Sequence, residues 1–338
     1  MDFLQHSRKE GKKFLNPVPT EISTGGNMLS IMWKYFTNRE ETIPKHVLGP
    51  FSTDIAVYKT MPASGLRITW IGHSSLLTEI DGRRILTDPV WSERASFSSF
   101  IGPKRFFAAP LSLNELPQLD AIIISHDHYD HLDKAVIEQL ANITVPFYCS
   151  LGVGQYLEQW GVHKSRITEM DWIEDAFIGD DCTITALPAR HFSGRSLRNR
   201  FQTLWSSFVI KASRHTIFYG ADSGWFPGFK HIGNAYGPFD LTMLEIGAYN
   251  ENWADIHMGP EKAVDAHLAL KGDLMMPIHW GTFNLALHPW KEPIERLLQY
   301  AQEKNIKLFL PKPGEPTEVT SKSYNSKWWE QQKNNVES

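Results

Sequence analysis

The sequence predicts an α/β body in which two sheets are covered by helices, preceded by an irregular N-terminal arm. Three observations carry this prediction. Strand-like runs in the first third are joined by hairpin-turn signals, later runs alternate with helix-like segments, and no linker divides the body into separate domains. The chain has 338 residues, 42% of them hydrophobic and 21% charged, a globular composition that excludes disorder for the bulk of it.

Residues 1–64 hold many turn formers, among them Pro17, Pro19, Gly25, Gly26, Pro44, Gly49 and Pro50, without a sustained period. They read as an arm with short helices packed on the body. Within it Met28–Phe36 is apolar and aromatic but too short to span a bilayer. It is expected to pack on the body or a second subunit, or to touch a lipid surface. The body, residues 65–320, opens with the strand-like Arg67–Ile71, then Leu76–Ile80 and Arg84–Thr87 joined by the turn Asp81-Gly82. Ala121–Ile124 is a continuous apolar run, as a strand buried on both faces requires. Asp133–Ala141 suits a helix, Val145–Cys149 a strand and Leu151–Trp160 a helix. Strands are then expected at Cys182–Leu187, Ser206–Ala212, Thr216–Tyr219, Leu241–Ile246, Leu274–Ile278 and Ile306–Leu310. Helices are expected at Pro260–Leu270, with proline in the first turn, and at Glu292–Glu303. Residues 321–338 read as a polar, frayed tail.

The formal net charge of −4 argues against a broad nucleic-acid surface, which needs a basic excess. Cys149 and Cys182 are too few for a disulfide framework and fit a reducing, cytoplasmic setting. No apolar run reaches the ~18–20 residues of a membrane span. The N-terminus lacks a basic segment followed by an apolar one, so no secretory signal is expected. Peripheral contact at the inner membrane face and a homodimer both stay open.

Histidine is the over-used residue type, with 14 copies. His126-Asp127-His128-Tyr129-Asp130-His131 follows directly on Ala121–Ser125 and precedes the helix near Asp133. In an extended turn His126 and His128 point to one side, while Asp130 and His131 lie where the chain bends into the helix. One segment thus offers two imidazoles to one cation and a carboxylate plus an imidazole to a second. His191, Asp222 and His279 each follow a predicted strand and complete a set of seven. Imidazole and carboxylate donors suit zinc, manganese or iron, with no thiolate needed.

The order HxHxDH, His, Asp, His resembles the metallo-β-lactamase superfamily, which implies an αββα sandwich with a dinuclear metal site at one edge. By that resemblance His126, His128 and His191 hold the first metal; Asp130, His131 and His279 hold the second; Asp222 bridges them. A closer similarity lies in Phe14–Thr20, Thr69–His73, Leu86–Val90, Ile101–Phe106, Gly237–Asp240 and Ile278–Phe283. These segments resemble the branch containing N-acyl-phosphatidylethanolamine-hydrolysing phospholipase D and its bacterial relatives, over roughly Phe14 to Pro316. A true β-lactamase is not expected, because Asp222 stands where many of those enzymes use Cys.

The resemblance implies a zinc-dependent phosphodiesterase, with manganese or iron also compatible. A metal-bridging hydroxide would attack the phosphorus of an N-acyl phospholipid, releasing N-acylethanolamine and phosphatidic acid. His257 matches a non-ligand histidine of that branch and is expected, with Asp130, to act in catalysis. His73 reads either as a group orienting a ligand or as a buried, satisfied histidine. Arg190, Arg195, Arg198 and Arg200 crowd the loop after His191; Arg190 and Arg195, with Tyr129 and Trp280, are candidates to hold substrate. Competing readings are a lactonase or other carboxylic-ester hydrolase on the same metals, an iron-dependent sulfur dioxygenase, and a non-catalytic binding protein.

Overall fold

The structure is a computed structural model and describes residues 3–22 and 41–330. Near the N-terminus β1 (Arg8–Glu10) and β2 (Lys13–Leu15) form a small hairpin. The first sheet is built from β3 (Leu66–Gly72), β4 (Ser75–Ile80), β5 (Arg83–Thr87), β6 (Ala121–Ile124), β7 (Phe147–Ser150) and β8 (Ile167–Met170), in that spatial order. The second runs through β9 (Asp175–Ile178), β10 (Cys182–Pro188), β11 (Ser206–Lys211), β12 (Thr216–Tyr219), β13 (Phe239–Glu245), β14 (Gly272–Ile278) and β15 (Lys307–Leu310). Two short strands close the edges: β16 (Thr317–Glu318) returns to pair with β3, and β17 (Tyr324–Asn325) pairs with β15.

Side-chain alternation explains the layering. Leu66, Ile68 and Trp70 of β3, with Ala121 and Ile123 of β6, join the core they share with the second sheet. Their neighbours Ile71, Ile122 and Ile124 face the other way, onto Val136, Ile137 and Leu140 of the helix Lys134–Leu140. Each such side chain contributes roughly 1.5–3 kcal/mol on full burial. The helices Gly259–Leu270 and Glu292–Glu303 supply Ala263, Val264, Leu270, Ile294, Leu297 and Ala301 to the core on the second sheet. The result is helix, sheet, sheet, helix.

Three expectations need correcting. β8 and β9 are unforeseen, as is the helix Gly228–Ala235, which has no side-chain cap to announce it. The tail is not frayed over its first ten residues: Trp328 and Trp329 are buried against Trp280, and Trp328 also packs on Trp70. In the arm, residues 3–22 form a hairpin and an extended run, and among the described residues a short helical turn lies at the 3-10 segment Ile55–Lys59. Met28–Phe36 lies outside the described residues. Among those that are described, no helix is long and apolar enough to cross a membrane.

Both sheets point the carboxyl ends of key strands to one edge. β3 and β5 are each antiparallel to β4, and β5 and β6 are parallel. In the second sheet β10 and β12 are each antiparallel to β11, and β12, β13 and β14 are parallel. The residues following β3, β5, β6, β10, β12 and β14 therefore converge.

Candidate metal centre

At that edge the backbone bends sharply. His73, Asp88, Ala221 and His279 all have positive φ, at 57°, 36°, 48° and 60°. They follow β3, β5, β12 and β14, and none is a glycine. Each such conformation costs of the order of 1–3 kcal/mol and persists only where surrounding contacts enforce it. Two of those contacts are visible: the His279 N–H donates to the His73 carbonyl at 3.1 Å, and the His73 N–H donates to Thr282 Oγ1 at 2.7 Å.

The first cluster combines His126, His128, His191 and Asp222. His126 Nε2 and His191 Nε2 lie 2.9 and 3.3 Å from His128 Nδ1, and Asp222 Oδ2 lies 3.6 Å from His191 Nε2. The outer ring nitrogens are engaged elsewhere: His126 Nδ1 meets Ser125 Oγ at 2.9 Å and His191 Nδ1 donates to the Ile256 carbonyl at 3.0 Å. A ring nitrogen held this way leaves the other one directed inward, as a metal-ligating imidazole requires.

The second cluster continues from the first through Asp222. His131 Nε2 lies 3.2 Å from Asp222 Oδ1, and His279 Nε2 lies 3.1 Å from Asp222 Oδ2 and 3.3 Å from Asp130 Oδ2. The turn that delivers Asp130 and His131 is held by the His131 and Leu132 amides donating to the His128 carbonyl. Asp133 then caps the helix through Ala135 N, worth about 1 kcal/mol. His73 Nε2 reaches Asp130 Oδ2 at 2.9 Å while its ring lies on His279, with centroids 3.9 Å apart. It thus orients Asp130.

The donor set fits two cations. His131 Nε2, His279 Nε2 and Asp222 Oδ1 are buried and make no well-directed hydrogen bond among the described residues, although each lies within 3.3 Å of an opposite partner at the shared centre. Such atoms are costly unless something polar or charged satisfies them. The electrostatics agree. Burial, with the neighbouring imidazoles, pushes His126 well below the ordinary imidazole range, and burial does the same to His191. Burial also opposes charge on His131 and His279, yet Asp222 and Asp130 raise the first well above its ordinary value and the second to about 10. Conversely, despite burial, His131 and His279 hold the Asp222 carboxyl well below the carboxylate range.

His257 stands beside both clusters, its ring 5.1 Å from that of His191 and 5.3 Å from that of His279. Its Nδ1 pairs with Glu245 Oε2 at 2.6 Å, and Glu245 Oε1 accepts from the Ser223 and Met258 amides at 3.1 and 3.3 Å. This leaves His257 Nε2 as the nitrogen available to a bound molecule. Glu245 was not foreseen, nor was Asp88, whose Oδ2 holds His131 Nδ1 at 2.7 Å and accepts from the Tyr219 hydroxyl at 2.6 Å. An acid at the end of a buried strand, or directly after one, was the available signal in both cases; the partner was not.

Asn16 is a third unforeseen contributor. Its amide donates to the His191 carbonyl at 2.7 Å and its Oδ1 accepts from the His191 amide at 3.0 Å.

The proposed substrate residues divide differently. Arg190 turns away from the clusters: Nη2 pairs with Asp255 at 2.6 Å and donates to the Pro19 carbonyl, and Nε donates to Thr20 Oγ1. Its guanidinium ties the arm to the segment carrying His257. Arg195 donates to the Asp127 and Leu132 carbonyls and lies 3.9 Å above the Tyr129 ring, so it braces the histidine segment. Trp280 is buried, stacked on Trp70, and donates to the Pro277 carbonyl. Tyr129 and Arg195 both line an open cavity of about 530 Å³ beside the histidine segment.

Residues 83–280 match the family described as the Beta-lactamase superfamily domain. An uncharacterized protein of Mycobacterium tuberculosis is 48% identical over 79% of this chain and 72% of its own length. N-acyl-phosphatidylethanolamine-hydrolyzing phospholipase D 1 of Caenorhabditis elegans is 36% identical over 69% of each chain. Among solved structures, an isothiocyanate hydrolase from Delia radicum gut bacteria superposes with a TM-score of 0.61 at 22% identity, over 75% of this chain and 99% of that one. That likeness speaks for the fold alone.

Proposed function

The chain belongs to the β-lactamase superfamily and has its metallo-β-lactamase fold, and from that premise we propose a dinuclear-metal phosphodiesterase acting on N-acyl phospholipids. One observation carries the reading: Asp222 lies within 3.6 Å of imidazole nitrogens of both His/Asp clusters, with the His257 ring beside both. His126, His128 and His191 would hold one cation, Asp130, His131 and His279 the other, with Asp222 within reach of both. The imidazole-carboxylate donor set favours zinc, and manganese and iron suit it as well. Two divalent cations held by these residues would lower the pKa of a water and offset the charge that builds on phosphoryl oxygens.

The chain's own residues do the rest. Asp130, held by His73, fixes the second cluster. His257, held at Nδ1 by Glu245, hands a proton from Nε2 to the leaving alcohol. One P–O bond forms from water, the P–O bond to the N-acylethanolamine breaks, and phosphatidic acid remains. The two cysteines are free and buried, which supports a cytoplasmic enzyme.

The substrate class draws support from the Caenorhabditis elegans relative. The test is a panel of bis(p-nitrophenyl) phosphate, an N-acyl phospholipid and a lactone, run on protein of measured metal content. Two zincs per chain with turnover of both diesters is expected. Turnover of the lactone alone, or one iron per chain, overturns the reading.

A further inference from the structure

The side of the site next to Tyr129 carries an unusual surface. An Arg94–Lys104 bridge closes a loop whose tip holds Phe97, Phe100 and Ile101, exposed to 78%, 86% and 67%. The base is firm, with Ala95 N–H donating to the Pro103 carbonyl and Arg94 Nη1 to that of Gly102. Beyond Tyr129 the neighbouring loop offers Leu197, 76% exposed, with Arg198 and Arg200 exposed after it. Tyr129 links the two loops: its ring is 6.4 Å from that of Phe97, and its hydroxyl donates to the Arg195 carbonyl at 3.0 Å.

Large apolar side chains gathered at loop tips cost solubility and mark a contact surface. The charges around them say which kind. Glu93 is paired with Lys104 and Glu138 with Lys134, while Asp133 accepts from the Trp91 and Ser92 amides. Arg198 and Arg200 are exposed and make no ion pair among the described residues. Apolar tips flanked by the exposed cations Arg198 and Arg200, on a protein of net charge −4, match an anionic bilayer. A second copy would set these cations against each other.

We propose that Phe97, Phe100, Ile101 and Leu197 insert into the interfacial zone of an anionic phospholipid bilayer, with Arg198 and Arg200 on its headgroups and the metal edge facing the membrane. The assignment deepens the phospholipase reading and rests on it for its purpose.

The test is sedimentation of metal-loaded full-length protein with vesicles of phosphatidylcholine, with and without about one third phosphatidylglycerol. Wild type should pellet with the anionic vesicles. Phe100→Ser/Ile101→Ser should lower partition at least about tenfold, with circular dichroism and turnover of bis(p-nitrophenyl) phosphate unchanged. Arg198→Gln/Arg200→Gln should remove the preference for anionic vesicles. Wild type left in the supernatant, or a double variant that pellets as wild type does, overturns the assignment. So does a dimer seen by light scattering that Phe100→Ser/Ile101→Ser dissolves. Vesicle binding without cleavage of N-acyl phospholipid keeps the surface and sinks the substrate reading. Cleavage of detergent-dispersed lipid without vesicle binding does the reverse.

Discussion

Glu245 and Asp88 hold imidazoles from opposite sides of the centre, and they should fail differently when changed. Asp88→Asn weakens the hold on His131 Nδ1 and should lower metal affinity about 10–100-fold, read as metal retained after dialysis. His257→Ala should leave both metals in place and lower turnover by roughly 10²–10³; loss of metal would instead make His257 a ligand. Glu245→Gln keeps an acceptor for Nδ1–H but removes the charge, so a smaller loss, about tenfold and mainly in kcat, is expected. The convergence of the seven ligand candidates was legible because all are metal-binding residue types in segments that follow apolar runs. Asp88 and Glu245 were not legible as partners, because their side chains are aimed by strand-end geometry across 43 and 12 residues of sequence.

Strand ends and the arm act together at the scale of elements. Asn16 grips His191 at both backbone groups, so Asn16→Ala should loosen that ligand and reduce occupancy of the first cluster, measurable by metal titration. Gly224 shows how closely two of the segments approach: a Cβ there would stand 1.8 Å from the Asp255 carbonyl oxygen. Gly224→Ala should therefore displace the Asp255–His257 segment and lower turnover more than metal content. Strands with long apolar runs were readable in the sequence. β8 and β9 were not, because each is four residues long and half turned to solvent. The tail misled because two adjacent tryptophans in a polar setting give no period. Arg190 misled because charge near a ligand says nothing about the Asp255 carboxylate that neutralises it or the arm, 171 residues away, that accepts its hydrogen bond.

Stability of the whole molecule should depend on pH through a histidine outside the candidate metal clusters. His267 is buried in the helix Gly259–Leu270, with Nδ1 2.8 Å from Thr242 Oγ1. Burial, opposed only in part by Asp273, pushes it down to about 4. The unfolded chain takes up a proton near pH 6.5, which the folded one refuses until about pH 4. This contribution, about 3 kcal/mol, is full above pH 6.5 and is lost as pH falls from there to 4. Urea unfolding at about pH 7.5 and about pH 5 should show a fall in stability that is about 2 kcal/mol smaller in His267→Leu than in wild type. Equal falls would mean that His267 is not the group responsible.

The clamp on His191 also orders events in time. Asn16 leaves the ribosome early, but its partner lies 175 residues downstream, and the Asp255 carboxylate that accepts from the Glu21 amide lies 234 residues downstream. During vectorial synthesis the arm must wait, undocked, until the second sheet exists to receive it. Competence to retain cations is then a late, post-translational acquisition. A chain refolding from denaturant should regain its sheet signal before it regains tight metal retention.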